Sequence, residues 1–171
     1  MQVMKRLGLA VMVGAGVAAS VAGSARAQDP YAPTDSHRQV IYDCLEAARE
    51  MPRRKIVALC IGTVADPCLD NPANQHTHGM SGCARREETI WDELLNSWYG
   101  SIREGTSGEL RTMARDAQRL WIKWRDTKCG VVMARWEGGT GGGPAMSYCL
   151  METTALRALE LRDWVIEVEG R

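Results

Sequence analysis

Nowhere in the 171 residues do apolar and polar side chains alternate for more than a few positions, which argues against β-strands. Without strands, no glycine-rich phosphate cradle can sit between a strand and a helix. The three histidines, His37, His76 and His78, belong to no recognisable nucleophile arrangement. Acidic residues are plentiful, but Glu46, Glu50, Glu88, Asp116 and Glu160 read as solvated helix faces, not as the opposed carboxylates a glycosidase needs. No catalytic constellation survives, and the expectation is a non-enzymatic protein with no cofactor. Close Cys-x-x-Cys pairs are lacking too, which weighs against zinc as the competing use of the cysteines with His76 and His78. An excess of either charge is also absent: 21 Lys+Arg stand against 21 Asp+Glu, so no nucleic-acid or anionic-membrane surface is implied.

What is present begins with an export signal. Lys5 and Arg6 precede an apolar run from Leu7 to about Ala22, and Ala25-Arg26-Ala27 closes it with small residues. Glycines and serines dilute that run below what a membrane span requires. Residues 1–27 therefore read as a signal peptide cleaved after Ala27. No cysteine lies near that point to take a lipid, so no membrane anchor is expected after cleavage. The remaining 144 residues suit a single core and carry 18 cations against 21 anions.

All six cysteines, at 44, 60, 68, 83, 129 and 149, fall in the exported part, and an even count behind an export signal reads as three disulfides. Sequence alone permits fifteen pairings, of which the helix layout favours the nearest-neighbour one. Residues 28–36 form an arm with two prolines. A first helix carries Val40, Ile41, Cys44, Leu45 and Ala48 on one face and ends at Pro52. A second, about 53–64, buries Ile56, Val57, Leu59 and Cys60. That hairpin brings Cys44 towards Cys60. Residues 65–79 read as an irregular loop that Cys68 and Cys83 would tie.

Three long helices follow. The first, about 80–103, shows a broad face from Met80 to Ile102 with Glu87 as its polar exception. Thr106 and Glu109 have the form of a capping box opening the next, about 107–135. Its stripe carries Trp121, Trp124, Lys128 and Val131, and its aromatics read as core. Five glycines in 138–143 break the chain, because each costs about 1 kcal/mol in a helix relative to alanine. Pro144 then opens the last helix, about 144–168. Cys129 and Cys149 flank that glycine turn at similar distances. The expected fold is all-α, an antiparallel helical bundle of about five helices stapled Cys44–Cys60, Cys68–Cys83 and Cys129–Cys149.

Three stretches carry a family resemblance. They are Gly79-Met80-Ser81-Gly82-Cys83 leading to Trp91-Asp92-Glu93-Leu94-Leu95-Asn96-Ser97-Trp98-Tyr99, then Gln118-Arg119-Leu120-Trp121 running to Arg125-Asp126-Thr127-Lys128-Cys129, and Glu137-Gly138-Gly139 with Cys149 beyond. In this order they resemble the LprI-type domain of exported bacterial proteins, over about residues 68–165. The resemblance implies a helical, disulfide-bonded domain and inhibition of lysozyme. Two departures stand out: the Gly-Gly-Thr-Gly-Gly-Gly turn is richer in glycine than the family's, and the lipid-anchor cysteine is missing.

On this reading residues 37–67 form an N-terminal hairpin and 68–168 the LprI-like domain. The candidate partner-binding residues are His76, His78, Arg125, Asp126, Glu137, Gly138 and Gly139. Arg125 lies near the buried stripe and needs a carboxylate; Glu87 is the expected partner, with ligand contact as the alternative. Arg125 and Asp126 point about 100° apart on a helix and are not expected to face each other. Asn96 and Gln118 are expected to hydrogen-bond between helices. The expected function is exported binding of a protein partner, lysozyme or another wall-directed protein, by insertion of loop 66–79 or 136–144. The alternative is a periplasmic envelope or stress module that binds a protein or a metal.

Overall fold

The computed structural model describes residues 29–169; the signal peptide expected at 1–27 lies outside them. Six α-helices account for nearly all of the described chain: α1 (Asp35–Ala47), α2 (Arg53–Cys60), α3 (Ala65–Asp70), α4 (Thr77–Gly105), α5 (Gly108–Ala134) and α6 (Gly142–Glu169). A 3-10 turn, Pro72–Asn74, separates α3 from α4. The described residues contain no strand, in keeping with the all-α reading.

All three expected disulfides form. Cys44–Cys60, Cys68–Cys83 and Cys129–Cys149 have Cα separations of 5.7, 5.6 and 5.5 Å, in the middle of the range a disulfide accepts.

The segment read as an irregular loop is a finding of a different kind. Ala65-Asp66-Pro67 opens the short helix α3, where proline is tolerated because first-turn N–H groups have no partner inside the helix. Asn71 then caps the 3-10 turn by accepting from the Ala73 N–H. The expected capping box at Thr106 and Glu109 is not made. The Thr106 hydroxyl turns back to the Ile102 carbonyl at 2.7 Å, Ser107 occupies the cap position without a side-chain bond, and the Arg111 guanidinium takes the Thr106 carbonyl. A true capping box opens α1, between Thr34 and His37.

Helix α6 is the axis of the fold. Met151, Thr153, Thr154, Ala155, Arg157, Ala158, Leu159 and Leu161 are all buried, so the helix is covered on more than one side. Helix α4 runs parallel to it: Ser81 lies beside Gly143 at one end, and Ile102 and Trp164 share a groove at the other. Ala155 and Ala158 are small enough to let the two helices approach closely. Around this pair Ile41, Leu45, Ile56, Ile90, Trp91, Leu95, Leu159 and Leu161 form one core. Helix α5 returns antiparallel along the other side of α6 and contributes only Ala114 to the buried part of that core.

Candidate functional site

Because α4 and α6 are parallel, the segments before them lie at the same end of the bundle. The 66–79 segment and the α5–α6 turn, the two candidate insertion loops, are thus neighbours at a single loop end, and each is tied by its own disulfide.

The chain across the α5–α6 turn is ordered by its own side chains. Glu137 and Gly138 take positive φ values of 48° and 84°. Glu137 is the one described non-glycine residue in that region, a conformation that costs a residue with a Cβ and persists when its surroundings hold it. The exposed Trp136 ring folds back over the turn and rests where a Cβ on Gly141 would overlap it. Gly139 donates to the Trp136 carbonyl at 2.7 Å and Gly142 to the Gly139 carbonyl at 3.1 Å. The turn therefore presents Glu137, Gly138 and Gly139 to solvent in a fixed shape.

On the neighbouring segment His76 caps α4, its Nδ1 accepting from the Gly79 N–H at 3.2 Å. His78 stands with its ring 5.4 Å from that of Tyr31, edge to face. Tyr31 anchors the N-terminal arm: its hydroxyl bonds the Asn74 side chain at 3.1 Å, Arg86 lies over its ring, and the ring packs where a Cβ on Gly82 would sit. Both histidines are exposed. Among the described residues no three His, Cys, Asp or Glu side chains cluster as a metal site would require.

Between the α2–α3 joint and α5 a groove of about 490 Å³ runs along α6, lined by Gly62, Asp66, Lys128, Val132, Tyr148 and Glu152 among others. The Tyr148 hydroxyl is buried with no hydrogen-bond partner. Burial pushes its pKa up to about 12, with Asp66 and Glu87 adding to the shift, so it stays a neutral donor.

Arg125 and Asp126 sit along α5, away from the turn, and here the structure corrects the sequence expectation. Glu87 does not pair with Arg125. It is fully buried and accepts from the backbone N–H groups of Gly62, Val64 and Ala65 at 2.7, 2.9 and 2.8 Å, and from Trp91 Nε1 at 2.9 Å. The carboxylate thus caps α3, the helix hidden in the supposed loop. Arg125 instead pairs with Asp126 at 2.9 Å, because a long guanidinium can curl round to its neighbour. It also bonds Thr154 at 3.4 Å and lies over the Trp121 ring at 5.2 Å.

The next residue, Glu88, is half-buried, not a solvated face. Burial raises its carboxyl above the usual range, and the field of Arg125 opposes that shift.

Gln118 does bridge helices: it accepts from Arg157 Nε at 3.0 Å. Asn96 does not, since it bonds Asp92 one turn back on its own helix. Arg157 is the residue the sequence reading missed. It is buried on α6 between the Trp121 and Trp164 rings, at 5.9 and 5.2 Å, and pairs with Glu160 at 2.8 Å. Its signal was a lone cation inside the apolar run Leu156-Arg157-Ala158-Leu159. Gln118, Trp121, Arg125 and Cys129 therefore form a belt that fastens α5 to α6.

These features define a disulfide-stapled helical domain whose buried polar groups serve packing and whose ordered loops gather at one end. The chain belongs to the lysozyme inhibitor LprI family, whose family model matches residues 68–161. No curated protein and no solved structure matches the chain. The matched span contains the 136–144 turn and all but the first two residues of 66–79, and the α1–α2 hairpin precedes it yet packs into the same core. No helix among the described residues is long and apolar enough to cross a membrane.

Proposed function

We propose that the protein is an exported, non-enzymatic inhibitor of lysozyme, acting in the periplasm or outside the cell after residues 1–27 are removed. Residues 68–168 would be the inhibitory unit, buttressed by the hairpin at 37–67. Its mechanism is steric occlusion. The α5–α6 turn enters the target's cleft, with Glu137, Gly138 and Gly139 leading and His76 and His78 on the neighbouring segment widening the contact. Arg125 and Asp126, set back along α5, touch the target only at the rim.

The observation that carries this reading is the ordered turn itself. Its backbone is fixed by Trp136 and by the Cys129–Cys149 bond, so little ordering entropy is left to lose on binding. The exported chain's small negative balance adds a weak attraction towards a basic enzyme.

Hydrogen exchange of the oxidised protein with and without lysozyme tests the assignment. New protection at 136–142 and 72–80 is the expected result; protection confined to α1 and α2, or none at a saturating lysozyme concentration, removes it. Equilibrium dialysis against zinc and copper separates an inhibitor, which needs no metal, from a metal-binding envelope module.

A further inference from the structure

Helix α5 exposes an apolar stripe that no other element covers among the described residues. Leu110, Met113, Ala117, Leu120, Trp124 and Val131 follow steps of three and four residues, with Thr127 filling the one remaining place. Apart from the half-buried Ala117, the apolar members are 54% to 67% exposed. That spacing is the a/d repeat of a two-helix seam, sustained over three heptads. It lies about 110° round the helix from the face that Ala114, Gln118 and Arg125 turn towards α6.

We propose that this stripe is the interface between two copies of the chain, with the two α5 helices packed antiparallel about a two-fold axis near residues 118 and 119. In that register Ala117 meets Leu120 of the second copy and Met113 meets Trp124, so each interface layer joins a smaller side chain to a larger one. The two-fold also fits the surface beside the seam. Leu110, Met113 and Ala117 form one wall of an apolar groove of about 280 Å³, closed by Ile102 of α4 and Trp164 of α6. The exposed Trp124 ring of the second copy reaches this groove. Lys128 covers one face of that ring at 5.2 Å, leaving the other to pack.

Charge selects the orientation. Asp116 and Lys123 flank the solvent side of the seam, and the antiparallel two-fold sets Asp116 of each copy beside Lys123 of the other. Within one copy Asp116 has only exposed arginine neighbours, Arg115 at 3.1 Å and Arg119 at 3.9 Å, and exposed pairs of that kind are weak competitors. A parallel pair would instead bring the opposite flank of the seam to the contact, and that flank is already buried against α6. The strip is about 33 Å long and half a helix circumference wide. It yields on the order of 500 Å² per copy, which reaches the threshold for a specific interface. An interface closed by a two-fold contains the same patch on both sides, and this one supplies both the projecting Trp124 and the groove that receives it.

The test is sedimentation equilibrium of the oxidised chain up to about 200 μM, a range that detects dimers of micromolar affinity. The wild type should dimerise. Leu120→Glu, at a solvent-facing position, should keep its helical circular dichroism and sediment as a monomer. Asp116→Lys and Lys123→Asp should each weaken the dimer at least about fivefold, and the double exchange should restore it. A wild type that stays monomeric throughout the range overturns the proposal. So does a dimer indifferent to Leu120→Glu, or one that the double exchange fails to rescue; a monomeric stripe would then serve a different protein.

Discussion

The two faces of α6 hold their neighbours by different means. Against α4 the contact is apolar and deep: Ala155, Ala158 and Leu159 meet Ile90, Trp91 and Leu95, and every one of them is buried. Against α5 the contact is a belt of polar and aromatic groups, Gln118 to Arg157, Trp121 between two guanidiniums and Lys128 to Thr153, closed by a disulfide. Apolar burial is cooperative and needs no single residue. A belt of specific bonds is only as strong as its members. The core therefore behaves as the permanent part of the molecule, and α5 with its turn as the attached part, held by fewer and more specific bonds.

The largest effect belongs to the core side. Glu87→Ala would leave three buried N–H groups and the Trp91 N–H without an acceptor, at about 4 kcal/mol by the cost of orphaned donors. Urea unfolding of the oxidised protein should show it, and a loss under about 1 kcal/mol would mean that water replaces the carboxylate.

On the α5 side, replacing Cys129 and Cys149 by serine releases a sequence separation of 20 residues, worth about 3 kcal/mol in the chain-entropy model. The contrast predicts where the loss appears. Amides of α5 should exchange faster while those of α4 and the centre of α6 keep their protection; uniform acceleration would show the two sides to be one cooperative unit.

Within the belt, Arg157→Ala should cost about 2 kcal/mol, since it strips a buried guanidinium from two rings and from Gln118. Arg125→Ala should cost below about 1 kcal/mol because its ion pair is with the exposed Asp126. Equal losses would erase the ranking.

The smallest effect is one of pH. Burial raises the Glu88 carboxyl above its ordinary 4.5, so the folded chain holds a proton that the unfolded chain has already released. That contribution is complete below the unfolded value and is lost as pH rises through the folded one. Glu88→Gln should flatten the decline in stability over this window and leave the protein slightly more stable at pH 7. An unchanged profile would assign the decline to other groups.

Much of the helical frame was legible because its signals are local. Three- and four-residue apolar steps, Pro52, and the glycine run each act within a turn or two. Hairpin geometry then paired Cys44 with Cys60 and Cys129 with Cys149. Glu87 was rightly placed facing inward, but its partners could not be seen. They are the N–H groups at the start of α3, and reading 65–79 as loop removed the helix that needed an acceptor, although Asp66-Pro67 marks such a start. Arg157 was missed for a similar reason, since its partners Gln118 and Trp121 lie 39 and 36 positions away in the chain. The side of α5 that stays uncovered was equally hidden: its Leu120 and Trp124 have the periodicity of core, and only the arrangement of α4 and α6 shows which apolar stripe has a neighbour.

The inhibitory role proposed for the α5–α6 turn is tested most directly by lysis of cell walls with lysozyme, titrated with the oxidised wild type and with a Trp136→Ala/Glu137→Arg variant. Both substitutions lie at exposed positions, so the fold should persist. The account predicts that the wild type suppresses lysis and that the variant needs at least about tenfold more protein, the loss of a central anchor. Undiminished lysis at micromolar excess of wild type, or equal suppression by the variant, would contradict it.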